Sequence, residues 1–343
     1  MDTIQLLRER AKKAKAKIVL PEGDELRTIE AAAFLSREKI AKTIVLGTSD
    51  NIKKSLEAKN ADMKEIEVIN INNSPLLDKY INKFYELRKH KDITMDEAKN
   101  TILGNPLYFG ALMVNDGLAD GFVAGAVNTT RDVARSVLWC IGLDRKIPTM
   151  SSSFIMILPN KNFGSDGVLV YADCGIIPFP SPKQLANIAI SASNLMKALF
   201  DTEPKVAMLS FSTKGSGKVP ETENIINAIE IVKKARPGLT IDGEIQADAA
   251  LSPEVAGIKT PDSPLKGRAN VLIFPNLEAG NISYKLTERL ASARAIGPLL
   301  HGLKAPCSDL SRGCSWEDIA DVVAVTALRH AYHKSQKSEG TVL

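Results

Sequence analysis

Lys205-Val206-Ala207-Met208-Leu209-Ser210-Phe211-Ser212 is a short apolar run that gives way to the turn-rich Thr213-Lys214-Gly215-Ser216-Gly217-Lys218-Val219-Pro220. Beyond it Ile225, Ile226, Ile229 and Val232 recur at helical spacing until Pro237 and Gly238 end the pattern. Strand, loop and helix therefore follow one another within a single unit. The β-branched or apolar runs Lys17–Pro21, Thr43–Gly47, Gly121–Ala126, Val168–Asp173 and Asn270–Pro275 repeat the alternation, with segments of helical period between most of them. This predicts an α/β fold built on mainly parallel sheets.

Two local signals refine the picture. Ser181-Pro182-Lys183-Gln184 supplies a capping serine, a proline at the first helical position and a reciprocating glutamine, and predicts a helix from about Pro182 to Phe200. Ser151–Pro159 and Val168–Asp173 flank the turn-rich Asn160–Gly167, the pattern of a β-hairpin, so part of the sheet is expected to be antiparallel. No internal repeat, low-complexity stretch or long linker is evident. The turn regions Gly142–Pro148 and Ile296-Gly297-Pro298 are the candidate crossing points between domains.

At 343 residues the chain exceeds what one hydrophobic core usually organises, and about two domains are expected. Its 44% hydrophobic content is that of a soluble globular protein. Lys and Arg number 44 against 40 Asp and Glu, and a balance of +4 is too mild to point to nucleic acid. Cys140, Cys174, Cys307 and Cys314 form no C-x-x-C pair and meet only four histidines, which argues against a zinc site and for reduced thiols. Asp2, Glu9 and the lack of an apolar core argue against a secretory signal in residues 1–16. No apolar run approaches the ~20 residues needed to span a bilayer. A cytoplasmic protein without a membrane partner is expected.

The glycines of Lys214-Gly215-Ser216-Gly217-Lys218-Val219 suggest a nucleotide loop but fail both tests. A P-loop needs glycine at 212 and Ser or Thr at 219, where Ser212 and Val219 stand; Pro220 occupies the third glycine of a dinucleotide fingerprint. A mobile loop after a buried strand is the expectation.

Ser308-Asp309-Leu310-Ser311-Arg312-Gly313-Cys314-Ser315-Trp316-Glu317-Asp318 packs a hydroxyl, a guanidinium, a thiol and a carboxylate before an apolar-periodic stretch. A helix entrance presents unpaired N–H groups and the positive dipole end, and Arg312 adds a fork of donors matched to phosphate or carboxylate. A structural role competes: with Ser315 as N-cap, Asp318 falls where an acid completes a capping box, and Ser311 reads equally as a turn residue. Arg88, in Arg88-Lys89-His90-Lys91, fits a solvated helix face. Arg135 and Arg289 sit in helical segments where Asp132 and Glu288 offer carboxylate partners. Cys140 and Cys174 read as buried hydrophobes rather than nucleophiles.

Taken together, Asp309-Leu310-Ser311-Arg312-Gly313-Cys314, Ala295-Ile296-Gly297-Pro298, the stretch Pro204–Thr213 and Gly125-Ala126-Val127-Asn128-Thr129-Thr130 closely resemble the phosphate acetyltransferases, from about Ile18 to His330. The resemblance is to the short form, without an N-terminal regulatory region. It implies reversible acetyl transfer between coenzyme A and phosphate, with acetyl phosphate as the second acyl carrier. It also implies two α/β/α domains with an inter-domain cleft, of the isocitrate and isopropylmalate dehydrogenase type, and a homodimer. The first domain would comprise 1–144 and 298–343 and the second 145–297. By the same resemblance Ser311, Arg312 and Asp318 are catalytic, with Asp318 as general base. Arg88, Arg135, Arg289 and Cys314 bind substrate, as do Thr129 and Thr130 of the Asn128-Thr129-Thr130 loop and the pair Ser212 and Thr213. No tightly bound cofactor and no metal are implied.

An incoming thiol, of pKa about 8.5, yields its proton to an ordinary aspartate, about 3.9, only uphill by roughly 6 kcal/mol. Burial of the carboxylate and cations beside the thiol would narrow that gap, while a helix N-terminus would widen it. Direct thiolate attack in a ternary complex is the expected route, with acetylation of Cys314 as the rival. Phosphate butyryltransferase is the nearest alternative activity. A metal- and NAD-dependent hydroxyacid dehydrogenase of the same fold is more remote, because its carboxylate cluster is not discernible, and an inactive acyl-CoA-binding protein is a third reading.

Overall fold

The computed structural model describes residues 2–338 and divides into two compact units, Met1–Lys146 with Leu303–Leu343, and Ile147–Gly302. The strands, in chain order, are β1 (Lys17–Leu20), β2 (Lys42–Leu46), β3 (Ile66–Ile69), β4 (Gly121–Val123), β5 (Ser151–Ile157), β6 (Val168–Ala172), β7 (Lys205–Leu209), β8 (Thr240–Ile245), β9 (Val271–Ile273), β10 (Arg294–His301) and β11 (Cys307–Ser308).

In the first unit the order is β3-β2-β1-β4-β11 and every pairing is parallel. The chain steps outward from β1 through β3, then returns to lay β4 on the other side of β1. That reversal leaves a crevice at the carboxyl ends of β1 and β4, where open α/β sheets place their ligands. The central strands β1, β2 and β4 are buried on both faces over most of their length, as inner parallel strands are, while the edge strand β3 leaves Glu67 exposed. The helix Leu26–Arg37 contributes Ala31, Ala32, Ala33 and Leu35 to the core. The long helix Trp316–Ser338 lies so close to β4 that a Cβ on Gly121 would meet Thr326 Cγ2 at 2.6 Å. The buried Ser308 and Thr326 hydroxyls hydrogen-bond at 2.8 Å and fix this helix to β11, whose end carries the Ser311 turn.

In the second unit the order is β10-β5-β6-β9-β7-β8; β10, β5 and β6 run antiparallel, and β6, β9, β7 and β8 run parallel. The expected hairpin forms as β5 and β6, with Ser153 opposite Ala172 and Ile157 opposite Val168. The expected helix spans Pro182–Phe200 and carries the full capping box: Gln184 N donates to Ser181 Oγ at 3.4 Å and Ser181 N to Gln184 Oε1 at 2.9 Å. In the helix Pro220–Ala235, Ile225, Ile229 and Val232 are buried while Ile226 is 44% exposed. At 100° per residue Ile226 falls beside the apolar stripe rather than on it. Gly297-Pro298 lies inside β10, at a register irregularity between Ile296 and Leu299, and the strand runs on to His301. A residue without an N–H interrupts a ladder without ending the strand.

Ser181→Ala removes one half of the capping box and is expected to lower stability by about 1 kcal/mol. For a unit of this size that is a fall of roughly 2–4 °C in its melting transition by calorimetry; an unchanged transition would show that the cap contributes nothing.

Candidate active site

The carboxyl ends of β1, β4 and β11 converge on one buried carboxylate. Glu22, two residues beyond β1 and 7% exposed, accepts Gly125 N and Ala126 N at 2.8 Å each on Oε2. Its Oε1 accepts Val127 N at 3.1 Å, and Asn128 N and Nδ2 at 2.8 Å each. A bend of successive backbone N–H groups is an anion nest, and here the protein's own carboxylate fills it. The amides of 125–128 are thereby committed to Glu22. Asn128 Oδ1 accepts from Asn105, whose own carboxamide oxygen caps the helix Pro106–Asn115.

Arg27, in the first turn of the helix Leu26–Arg37, joins this loop to the turn after β11. Its Nη2 donates to Ala126 O at 2.9 Å, and its Nη1 donates to Arg312 O at 2.9 Å and Cys314 O at 2.8 Å. Nε pairs with Glu25 at 2.8 Å. Within the turn Cys314 N donates to Ser311 O at 2.9 Å and Gly313 N to Ser311 Oγ at 3.3 Å. Ser311 and Arg312 are exposed, and Cys314 beneath them is 8% exposed. Asp318 completes the capping box: its Oδ2 accepts Ser315 N at 2.9 Å and Ser315 Oγ accepts Asp318 N at 3.2 Å. Both cap bonds leave Asp318 at the turn, a few residues from Arg312.

Burial pushes the Cys314 thiol up to about 11, with Asp318 and Glu22 adding to the effect and Arg27 opposing it. A helix entrance alone lowers a thiol's pKa; enclosure outweighs it here and disfavours Cys314 as a nucleophile. Asp309, fully buried, has its carboxyl raised to about 7 by desolvation, against the bond that Thr130 Oγ1 donates to it at 2.6 Å. Gly125, at φ +118°, makes room for it, since a Cβ there would strike Asp309 Oδ1 and come within 2.6 Å of Leu310 N.

Arg88 and Arg135 come together on one indole. The Arg88 guanidinium lies 4.0 Å and that of Arg135 5.7 Å from the Trp139 ring centroid. Arg88 Nε is buried without a hydrogen-bond partner, and Arg135 reaches Asp132 at 3.6 Å. Thr129 caps the helix Thr130–Cys140, its hydroxyl 2.7 Å from Asp132 Oδ2. A cation on an aromatic face keeps its N–H edge available to an anion.

The remaining expected residues belong to the second unit. Ser212 is enclosed, donating to Glu244 Oε1 at 2.9 Å and accepting Gly217 N at 2.8 Å; Gly215 N also reaches Glu244, at 2.6 Å. Thr213 exchanges bonds with Gln246 at 3.1 and 3.2 Å, and Lys214 pairs with Asp242. The segment expected to be a mobile loop is therefore tied down at several points. Arg289 is exposed in the last turn of the helix Leu277–Leu290. Among the described residues no cluster of three His, Cys, Asp or Glu side chains is arranged for a metal ion.

Glu22, Arg27 and Trp139 were not anticipated from sequence. Pro21-Glu22-Gly23-Asp24 reads as an ordinary turn, and the partners of Glu22 lie 103 to 106 residues away.

A parallel sheet with a cationic turn at its switch point marks an α/β protein that handles small anions. Residues 2–327 match the family described as phosphate acetyl/butaryl transferase, and the chain belongs to that family. It is 49% identical over 329 residues to a phosphate acetyltransferase of Thermoanaerobacterium thermosaccharolyticum, covering 96% of this chain and 99% of the relative. Among solved structures, a phosphotransacetylase from Streptococcus pyogenes is 41% identical with a TM-score of 0.89, covering 96% of this chain and 99% of that one. A 4-hydroxythreonine-4-phosphate dehydrogenase from Klebsiella pneumoniae, 10% identical over 92% of this chain and 98% of its own with a TM-score of 0.50, shares the fold alone.

Asp309 has a folded-state pKa above its unfolded one, so its contribution to stability is complete below about pH 4 and is lost as pH rises through about 7. Asp309→Asn is expected to remove this dependence. The variant's melting temperature, measured against wild type from pH 4 to 8, gains on it up to about pH 7 and levels off above; parallel curves throughout would contradict the assignment.

Proposed function

We propose that the chain is a phosphate acetyltransferase, catalysing acetyl-CoA + phosphate = coenzyme A + acetyl phosphate. Near-full-length identity to phosphate acetyltransferases carries the reading. The exposed Ser311-Arg312 pair beside Asp318, at the strand ends, supports it chemically.

In the direction of acetyl-CoA synthesis, Asp318 accepts the thiol proton of coenzyme A and the sulfur attacks the acetyl carbonyl carbon. The carbon–oxygen bond to phosphate then breaks, and phosphate leaves with the electron pair. Arg312 holds the phosphoryl oxygens, whose two negative charges suit a planar fork, and Ser311 donates to the carbonyl oxygen as charge develops on it. Arg88 and Arg135 on Trp139, Thr129, Thr130 and Cys314 bind substrate in the first unit, and Arg289, Ser212 and Thr213 do so in the second. Nothing in the transfer changes oxidation state, and none of its steps calls for a bound metal or cofactor. The protein acts as a homodimer in the cytoplasm; the four cysteines, all unpaired with one another, fit a reducing compartment. No helix among the described residues is long and apolar enough to cross a membrane.

The test is acetyl-CoA formation from acetyl phosphate and coenzyme A. Asp318→Asn preserves an oxygen for Ser315 N and should keep the melting temperature while lowering kcat about 100-fold or more. A variant with wild-type kcat would remove Asp318 as base. Arg312→Ala should lower kcat/KM for acetyl phosphate by a similar factor; a loss confined to coenzyme A would reassign Arg312.

A further inference from the structure

We propose that Arg27 is a positioning residue for this reaction. Its guanidinium bolts the Ser311–Cys314 turn to the Ala126 loop, so that Ser311 and Arg312 meet the substrate in one orientation. The proposal rests on the acetyl-transfer reading above.

The geometry assigns this role through the acceptors it engages. Nη1 and Nη2 are spent on three main-chain carbonyls, those of Ala126, Arg312 and Cys314, at 2.8 to 2.9 Å. Two of them belong to the turn and one to the loop that Glu22 holds by its amides. Nε is taken by Glu25 at 2.8 Å, and Arg27 keeps 30% of its side-chain exposure. Each guanidinium nitrogen therefore already has an acceptor in the protein, which distinguishes Arg27 from Arg312, whose side chain is exposed and which enters this network through its carbonyl.

Arg27 ties the loop directly to the carbonyls of Arg312 and Cys314, beside the reacting groups. The turn's own bonds are local, from Cys314 N to Ser311 O and from Gly313 N to Ser311 Oγ; they set its shape without setting where it sits. Below it, Thr130 reaches Asp309, two residues ahead of Ser311. The position of Ser311 and Arg312 over the crevice thus depends on the Arg27 fork. A lysine cannot replace it, because one ammonium on a flexible stem does not span carbonyls from two segments as a planar fork does. Small misplacement of reacting groups costs catalysis steeply, up to about 100-fold for about 1 Å.

Three preparations test this: Arg27→Lys, Arg27→Met and Arg27→Ala, each checked for a wild-type circular dichroism spectrum. In the coupled assay kcat is expected to fall about tenfold or more in all three, with KM for coenzyme A within about twofold of wild type. Added guanidinium ion should restore part of kcat in Arg27→Ala and none in Arg27→Met, where the side chain fills the space. Wild-type kcat in Arg27→Lys would show that charge suffices and overturn the fork; a rise in KM for acetyl phosphate at unchanged kcat would make Arg27 a substrate ligand and overturn it too. Hydrogen exchange provides a readout independent of activity: amides of 311–316 should exchange faster in Arg27→Met while those of β1 and β2 do not change, and equal exchange would contradict the clamp. Inactive wild-type enzyme with the exchange difference intact would refute the acetyl-transfer reading and leave the clamp standing.

Discussion

Five N–H groups ending on the Glu22 carboxylate are the constraint around which the first unit's crevice is organised. A buried carboxylate is costly unless its oxygens are satisfied, and hydrogen bonds to a charged group are each worth about 1.5–3 kcal/mol. Several such bonds offset the loss of water and in return dictate the path of 125–128. That path carries the Ala126 carbonyl to Arg27, and Arg27 carries the restraint on to the Ser311–Cys314 turn. Gly125, the residue that admits Asp309, sits at the first of the amides Glu22 holds. One acid after β1 thus governs the backbone at the ends of two further strands.

The second unit uses the same device. Asp173, 2% exposed at the end of β6, accepts Ser152 N at 3.1 Å and Ser152 Oγ at 2.6 Å, together with the amides of Gly175, Ile176 and Ile177 at 2.8 to 3.2 Å. In both units an acid of the protein occupies an amide nest at a strand end. These nests therefore hold loops in place, and in the proposed reading recognition of substrate anions is assigned to guanidinium groups. This division fits a protein whose reading as an acetyltransferase requires it to bind and release phosphate repeatedly.

Much of the fold was legible because it follows from local pattern. The strand runs at Lys17, Thr43, Val168 and Lys205, the β5–β6 hairpin and the helix Pro182–Phe200 with its capping box all follow from residues close in sequence. Other strands hide: β3 is Ile66-Glu67-Val68-Ile69, β8 carries Asp242, Gly243 and Glu244 inside it, β10 contains Gly297-Pro298 and β11 is two residues long. Each breaks the apolar run by which strands are recognised, and pairing with neighbours overrides the weak local preference. The turn from Ser311 to Asp318 was visible as a cluster of chemical groups; the cap role of Asp318 followed from spacing, whereas its role as base came only from the family resemblance, and the capping bonds that form leave that base assignment to kinetics. Glu22 and Arg27 were invisible for a physical reason. Their partners lie 99 to 287 residues away, brought near only when β4 and β11 come to rest beside β1. Trp139 was hidden similarly, as an aromatic on a helix whose role appears once Arg88 arrives from another.

The claim most exposed to test is that the Glu22 carboxylate, and not the loop's own turn geometry, holds the Gly125–Asn128 backbone. Amide hydrogen exchange of those residues in wild type and in Glu22→Gln measures it directly, since the glutamine keeps one acceptor oxygen and turns a donor toward the other amides. The account predicts slow exchange of these amides in wild type and a marked acceleration in the variant, with β1 and β2 unchanged. Rapid exchange in wild type, or equal protection in both proteins, would contradict it.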